Sequence, residues 1–133
     1  MILLDTSACY ALANARDPRH REAVAVLDAL QSAGERLVVH SYVVLEAAAL
    51  LQSRSGHDTA ARFLHDVAGY ETVWVDADTH REGLALFTRL KSRDLSLVDC
   101  VSFTVMRKRG LTTAFAFDRH FVQQGFRLAG GAS

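Results

Sequence analysis

The chain is poor in the residues that staple or punctuate a fold. It has two cysteines and one proline in 133 residues. Cys9 and Cys100 form no CxxC pair and share no ligand spacing with the scattered histidines, which excludes a disulfide framework and a zinc site. Both sit in apolar context, as the buried free thiols of a reducing cytosol do. Net charge is absent too, since 15 Lys and Arg balance 15 Asp and Glu. That excludes bulk electrostatic gripping of nucleic acid, although not a local basic patch. No run is long and apolar enough to span a membrane. The stretch ALANA resembles a leader cleavage site, but no basic segment precedes it and Asp5 interrupts the apolar start, so no leader is expected. Repeats, low-complexity segments and linkers are all missing. Half of the residues are hydrophobic, which argues against disorder. The length suits one domain, residues 1–133, that buries roughly two-thirds of its unfolded surface. The last few residues, AGGAS, are expected to be disordered.

What is present is an alternation of short apolar runs and amphipathic stretches. Segments 2–4, 37–39, 72–75, 113–117 and 126–128 read as strands. Helices are expected over 6–13, capped by Thr6 or Ser7, and over 19–33, after the break at Pro18, with Ala23, Leu27 and Leu30 inward. A third runs from Ser41 to about Gln52 with Tyr42, Leu45, Ala49 and Leu50 buried. A fourth is capped by Asp58 and ends near Gly69. Thr79 and Glu82 fit a capping box for a fifth, with Leu84, Phe87 and Leu90 on its apolar face. The sixth spans 97–109, between Ser96 and Gly110. This alternation predicts a three-layer α/β/α fold around a parallel sheet of four to five short strands.

Four acids stand in apolar surroundings: Asp5 in ILLDTS, Glu46 in VVLEAAALL, Asp99 in LSLVDCVSF and Asp118 in AFAFDRHF. Buried carboxylates are costly unless paired, neutralised or bound to a metal. No Lys or Arg shares the short motifs of Asp5, Glu46 or Asp99. If the fold gathers the four, the natural counter-charge is a hard divalent cation. Asp5 and Asp118 follow strands, at the carboxyl edge where open parallel sheets bind ligands. Each acid has a plainer reading as well. Asp5 and Asp118 suit helix caps, Asp99 suits the first turn of a helix, and Glu46 can be a hydrogen-bonded core residue. Ser7, Ser96 and Ser102 are placed to orient carboxylates or to cap helices, and Asp94 to support the site from a loop.

The segments ILLDTSA, VVLEAAALL, RDLSLVDCVSF and AFAFDRHFVQQGFRL together resemble the PIN-domain ribonucleases, in particular the VapC-type toxins of bacterial and archaeal toxin–antitoxin pairs. The likeness runs in order through nearly the whole chain. It implies an Mg²⁺- or Mn²⁺-dependent endoribonuclease in which metal-activated water hydrolyses RNA phosphodiester bonds, with Asp5, Glu46, Asp99 and Asp118 as the acids. It further implies a cognate antitoxin, a homodimer, operator DNA bound only through the antitoxin, and a cytoplasmic protein. Ser7 matches the hydroxyl after the first acid. Phe117 stands where many relatives have a small or hydroxyl residue.

RNA also needs cations around the acids. Arg16, Arg19, Arg21, Lys91, Arg93, Arg107, Lys108, Arg109 and Arg119 are candidates, of which Arg93 and Arg119 lie near motifs. Tyr10 and Tyr42 can reach a groove or a dimer surface, and His120 reads as a helix-start residue. An aspartyl phosphatase of the haloacid dehalogenase kind is disfavoured, because Ser7 stands where its second Asp belongs. A phosphoacceptor receiver domain lacks its acidic pair here. The alternative from another class is a non-catalytic PIN-like binding module that acts through a protein partner at operator DNA.

Overall fold

A computed structural model describes residues 1–131. Five strands form one sheet, β1 (Ile2–Leu4), β2 (Leu37–His40), β3 (Glu71–Val73), β4 (Thr113–Phe115) and β5 (Arg127–Leu128), ordered β3-β2-β1-β4-β5 and parallel throughout. The helices are α1 (Thr6–Ala13), α2 (His20–Ser32), α3 (Ser41–Ser55), α4 (His57–Val67), α5 (Ala77–Leu90), α6 (Leu97–Arg109) and α7 (His120–Gln123). The expected three-layer architecture is therefore borne out. Of the expected frayed tail, Ala129–Gly131 form a 3-10 turn, and residues 132–133 lie outside the described residues.

Strand side chains alternate between the two faces. Ile2, Leu4, Val39 and Phe115 join Val43, Ala47, Leu51 and Phe63 in one apolar cluster. Leu3, Val38 and Ala114 join Val101, Phe103, Met106 and Phe121 in the other. Each fully buried large side chain contributes about 1.5–3 kcal/mol, so the central strand is fixed from both sides. On the second face α5 and α6 approach closely at Gly83, where a Cβ would come within 2.6 Å of Val101 Cγ2. Cys9 and Cys100 are buried and free, as expected. No helix among the described residues is long and apolar enough to cross a membrane.

Several local expectations need correction. The cap of α1 is Asp5, not Thr6 or Ser7. The cap of α5 is Asp76, whose side chain accepts from Thr79 N at 2.8 Å, so Thr79 and Glu82 form no capping box there. Gly56 precedes α4, and Asp58 lies within its first turn. The buried stripe of α3 is Ser41, Val43, Ala47 and Leu51. Leu45 is 67 % exposed and Ala49 is also exposed. In α5 the buried positions are Thr79, Gly83 and Leu86, which leaves Leu84 and Phe87 outward. Close packing selected small residues for the inward face, and hydrophobicity alone marked the wrong one.

β2 runs one residue further than expected, to His40, which is fully buried and caps α3. Its Nδ1 accepts from Val43 N at 3.3 Å. The proton therefore sits on Nε2, which donates to Ser102 Oγ on α6 at 2.8 Å. Burial pushes the imidazole down to about 4, so it is neutral at physiological pH. His40→Ala removes the cap and strands Ser102, and should destabilise the protein by about 3 kcal/mol. Urea unfolding midpoints would check this, with His40→Asn, which retains a capping oxygen, losing less.

Candidate metal centre

The sheet order makes β1 the central strand and puts the point where the strand order reverses between β1 and β4. In open parallel sheets ligands bind outside the carboxyl ends of the strands at such a point. Asp5 is the first residue past β1, and its N donates to Phe115 O of β4 at 3.0 Å. Its Oδ2 accepts from Ser7 N at 3.1 Å and Ser7 Oγ at 2.6 Å. Ser7 Oγ in turn accepts from Phe117 N at 3.0 Å. One hydroxyl thereby joins the end of β1, the start of α1 and the chain leaving β4. Asp5 is 3 % exposed. Burial, aided by the charge of Asp99 and opposed by Ser7, pushes its carboxyl up to about 6.

Asp99 occupies the third position of α6 in a capping box with Ser96. Asp99 N donates to Ser96 Oγ at 3.1 Å, and Ser96 N donates to Asp99 Oδ2 at 2.9 Å. Burial raises the Asp99 carboxyl, with the bond from Ser96 N opposing and the charge of Asp118 adding to the rise. Asp118 Oδ1 accepts from His120 N at 2.7 Å. His120 Nδ1 lies 2.6 Å from the same oxygen, within ion-pair range yet not aligned as a hydrogen bond. Ligand atoms of Asp99, Asp118 and His120 all fall within 4.8 Å of one another, a spacing that one divalent ion can bridge.

The plainer reading holds for Asp5, Asp99 and Asp118. Each caps a backbone N–H, and the cap bonds of Asp99 and Asp118 use one oxygen apiece. Asp99 Oδ1 and Asp118 Oδ2 accept no hydrogen bond among the described residues. Capping orients these carboxylates and leaves lone pairs for a cation.

The charge of Asp99 bears on Asp5 and that of Asp118 on Asp99, while Asp5 is not part of the group of ligand atoms within 4.8 Å of one another. Glu46 is half-buried on α3, and it is not part of the Asp99–Asp118–His120 group. Ser7 and Ser96 each hold an acid. Ser102 does not, because it is fully buried and bonded to His40. Asp94 is exposed in the loop before α6, its N bonded to Ser92 Oγ. Arg119 is exposed at the start of α7 and makes no side-chain cap bond. Arg107, Lys108 and Arg109 are occupied elsewhere, by Gln124, Glu82 and Glu71 respectively. Eight residues of helix, about 12 Å, separate Arg107 from Asp99. His120 is the residue that sequence reasoning set aside. Its signal was its position two residues after Asp118, in FDRHF.

A family model for the PIN domain matches residues 2–127. The chain belongs to the PIN-domain family. It is 37 % identical over 130 residues to a protein named 23S rRNA-specific endonuclease VapC20 from Mycobacterium tuberculosis, covering 95 % of each chain. It is 28 % identical over 123 residues to Ribonuclease VapC26 of the same organism, covering 90 % of this chain and 89 % of that one. The crystal structure of M. tuberculosis VapC20, described as a sarcin–ricin loop cleaving toxin, superposes with a TM-score of 0.85 at 32 % identity, covering 95 % of this chain and 96 % of that one. The recognised PIN membership and the PIN fold are thus both borne out.

The raised carboxyl of Asp5 has a signed consequence. Below its ordinary value of 3.8 the group is protonated, folded or unfolded, and contributes nothing. Between there and about 6 the unfolded chain releases a proton that the folded chain keeps, so folding loses stability as pH rises. Without metal, Asp5→Asn should stabilise the protein above pH 6 by roughly 3 kcal/mol at most, and by nothing near pH 3.5. Denaturant midpoints across that range measure the difference; one that does not change with pH contradicts it.

Proposed function

We propose that the chain is an endoribonuclease toxin that depends on Mg²⁺ or Mn²⁺. The observation that carries this reading is the convergence of Asp99, Asp118 and His120 within 4.8 Å, beside a buried Asp5 whose ionisation is suppressed. Carboxylate oxygens with one imidazole fit Mn²⁺ well, and the oxygens alone fit Mg²⁺. Asp5, Asp99 and Asp118 hold the ion in this reading, and Glu46 completes the acidic set from α3. When bound, a divalent ion acidifies water and offsets charge on a phosphate. The protein's own part is positional. Ser7 and Ser96 fix two carboxylates, and the backbone N–H of His120 fixes the third. Asp94 and Arg119 stand on the rim.

The named relatives support RNA as substrate and make the large ribosomal RNA the first to test. A cognate antitoxin that covers the site, binding to operator DNA only through it, a homodimer, a cytoplasmic location and a single PIN-like domain belong to the same proposal. Glu46, Asp94 and Arg119 enter it from outside the Asp99–Asp118–His120 group.

Purified protein should cleave ribosomal RNA in Mg²⁺ or Mn²⁺ and stop when chelator is added. Mn²⁺ at roughly a hundred times its Kd should stabilise the fold by about 2.7 kcal/mol. Asp99→Asn should lower cleavage by more than the roughly 10–100-fold typical of a supporting residue, and raise the metal-free melting temperature by relieving repulsion. No thermal shift together with no chelator-sensitive cleavage would leave the binding-module reading.

A further inference from the structure

A second cavity of about 360 Å³ adjoins the acidic site. Its walls come from the start of α1, the turn at Asp17–Arg19, the second half of α3 and Phe117. Ser7, which holds Asp5, is shared between the two sites. Glu46 lies one turn before Leu50 and two before Arg54 on the same stripe of α3, and both of the latter line the cavity. The cavity therefore adjoins the residues that flank Asp5 and Asp118.

Two cations line it, and each is backed by an aromatic ring. The Arg19 guanidinium lies 5.0 Å from the centre of the Phe117 ring, and its Nη1 donates to Phe117 O at 3.0 Å. The Arg54 guanidinium lies 5.3 Å from the centre of the Tyr10 ring, and Tyr10 Oη accepts from Asn14 Nδ2 at 3.1 Å. Neither arginine is in an ion pair among the described residues. The one carboxylate in the lining, Asp17, turns Oδ1 to Arg19 N at 2.8 Å. A guanidinium held against a ring loses little freedom on binding, keeps most of its five donors and offers a flat cationic face. Planar cations over aromatics, at the edge of a carboxylate cluster, suit a nucleotide. The base stacks, and the phosphate takes the guanidinium fork. The volume sits at the low end of the roughly 300–1,000 Å³ of ligand sites, suited to one nucleotide and too small for a partner helix.

We infer that this cavity binds the unpaired nucleotide next to the cleaved phosphodiester, with Arg19 and Arg54 on its phosphates and the Arg–aromatic pairs as the stacking surface. This rests on the ribonuclease reading and assigns its substrate-holding cations. Of the nine basic residues that the sequence suggested, it retains Arg19, and it adds Arg54.

The test uses the full chain carrying Asp99→Asn, so that RNA is bound and not cut. Anisotropy of a labelled single-stranded RNA of mixed sequence is titrated at several salt concentrations. Arg19→Ala and Arg54→Ala should each weaken binding about tenfold and lower the log–log salt slope by roughly 0.7 for each phosphate no longer neutralised. Arg54→Lys should restore the slope but only part of the affinity. In the parent background, the Mn²⁺-induced thermal shift should persist in all three variants, which separates weakened RNA binding from failure to fold. Unchanged affinity and slope in folded variants would overturn the inference, while an intact Mn²⁺ shift and chelator-sensitive cleavage kept the ribonuclease reading. Variants that bind RNA normally but escape inhibition by the antitoxin would also overturn it, assigning the cavity to a protein partner. An absent Mn²⁺ shift and absent cleavage in the parent would instead remove the ribonuclease reading itself.

Discussion

Everything at the carboxyl edge of the sheet hangs on the bond between Ser7 Oγ and Asp5 Oδ2. At 2.6 Å it is short, and it stabilises a negative charge that burial opposes. The same oxygen of Ser7 receives Phe117 N. The hydroxyl therefore sets how the chain leaves two neighbouring strands. Asp118 follows Phe117 directly, so the position of one acid depends on the hydrogen bond of another. Asp99 arrives separately, at the start of α6, held by its reciprocal bonds with Ser96. Three helix or strand termini each end in a carboxylate that caps a backbone N–H, and those of Asp99 and Asp118 meet.

That arrangement explains why a destabilising cluster is tolerated. Asp5 is raised by Asp99, and Asp99 by Asp118. Hydrogen bonds from Ser7 and Ser96 offset part of the repulsion, and His120 lies against Asp118. The remainder weighs on the metal-free fold, and under the proposed function a bound cation would relieve it, linking metal affinity to fold stability. Opposite in sign is His40, kept neutral by burial and resisting acid where Asp5 resists base. The two groups lie at the ends of neighbouring strands, and their contributions partly cancel between about pH 4 and 6.

The strands and their parallel order were legible, and the apolar settings of Asp5, Asp99 and Asp118 stood out, because they rest on strong local signals. A wholly apolar run that ends in a lone Asp marks a buried strand and the polar edge beyond it, and LSLVDC carries its cap and its acid together. Helix phase was legible less often. In α3 the sequence VVLEAAALL is apolar on every face, so nothing in it distinguishes Ala47, which packs inward, from Leu45, which does not. In α5 the inward face holds Thr79 and Gly83 because α6 approaches too closely for larger side chains. His40 was missed because a histidine ending a strand gives no local hint that a serine 62 residues later will meet it. Arg54 was missed for a related reason: its distance along the chain from any acid concealed a shared helix stripe with Glu46.

The place of β1 in the middle of the sheet has a temporal consequence. It precedes the other four strands in the chain, yet its partner β4 lies more than a hundred residues later, so the central pairing is a long-range closure. Until β4 and the segment after it have emerged from the ribosome, Ser7 has no Phe117 to receive and Asp99 no Asp118 nearby. A chain still being translated thus carries scattered acids and no assembled centre. Asp99 and Asp118 can meet only after β4 and the segment that follows it have been made.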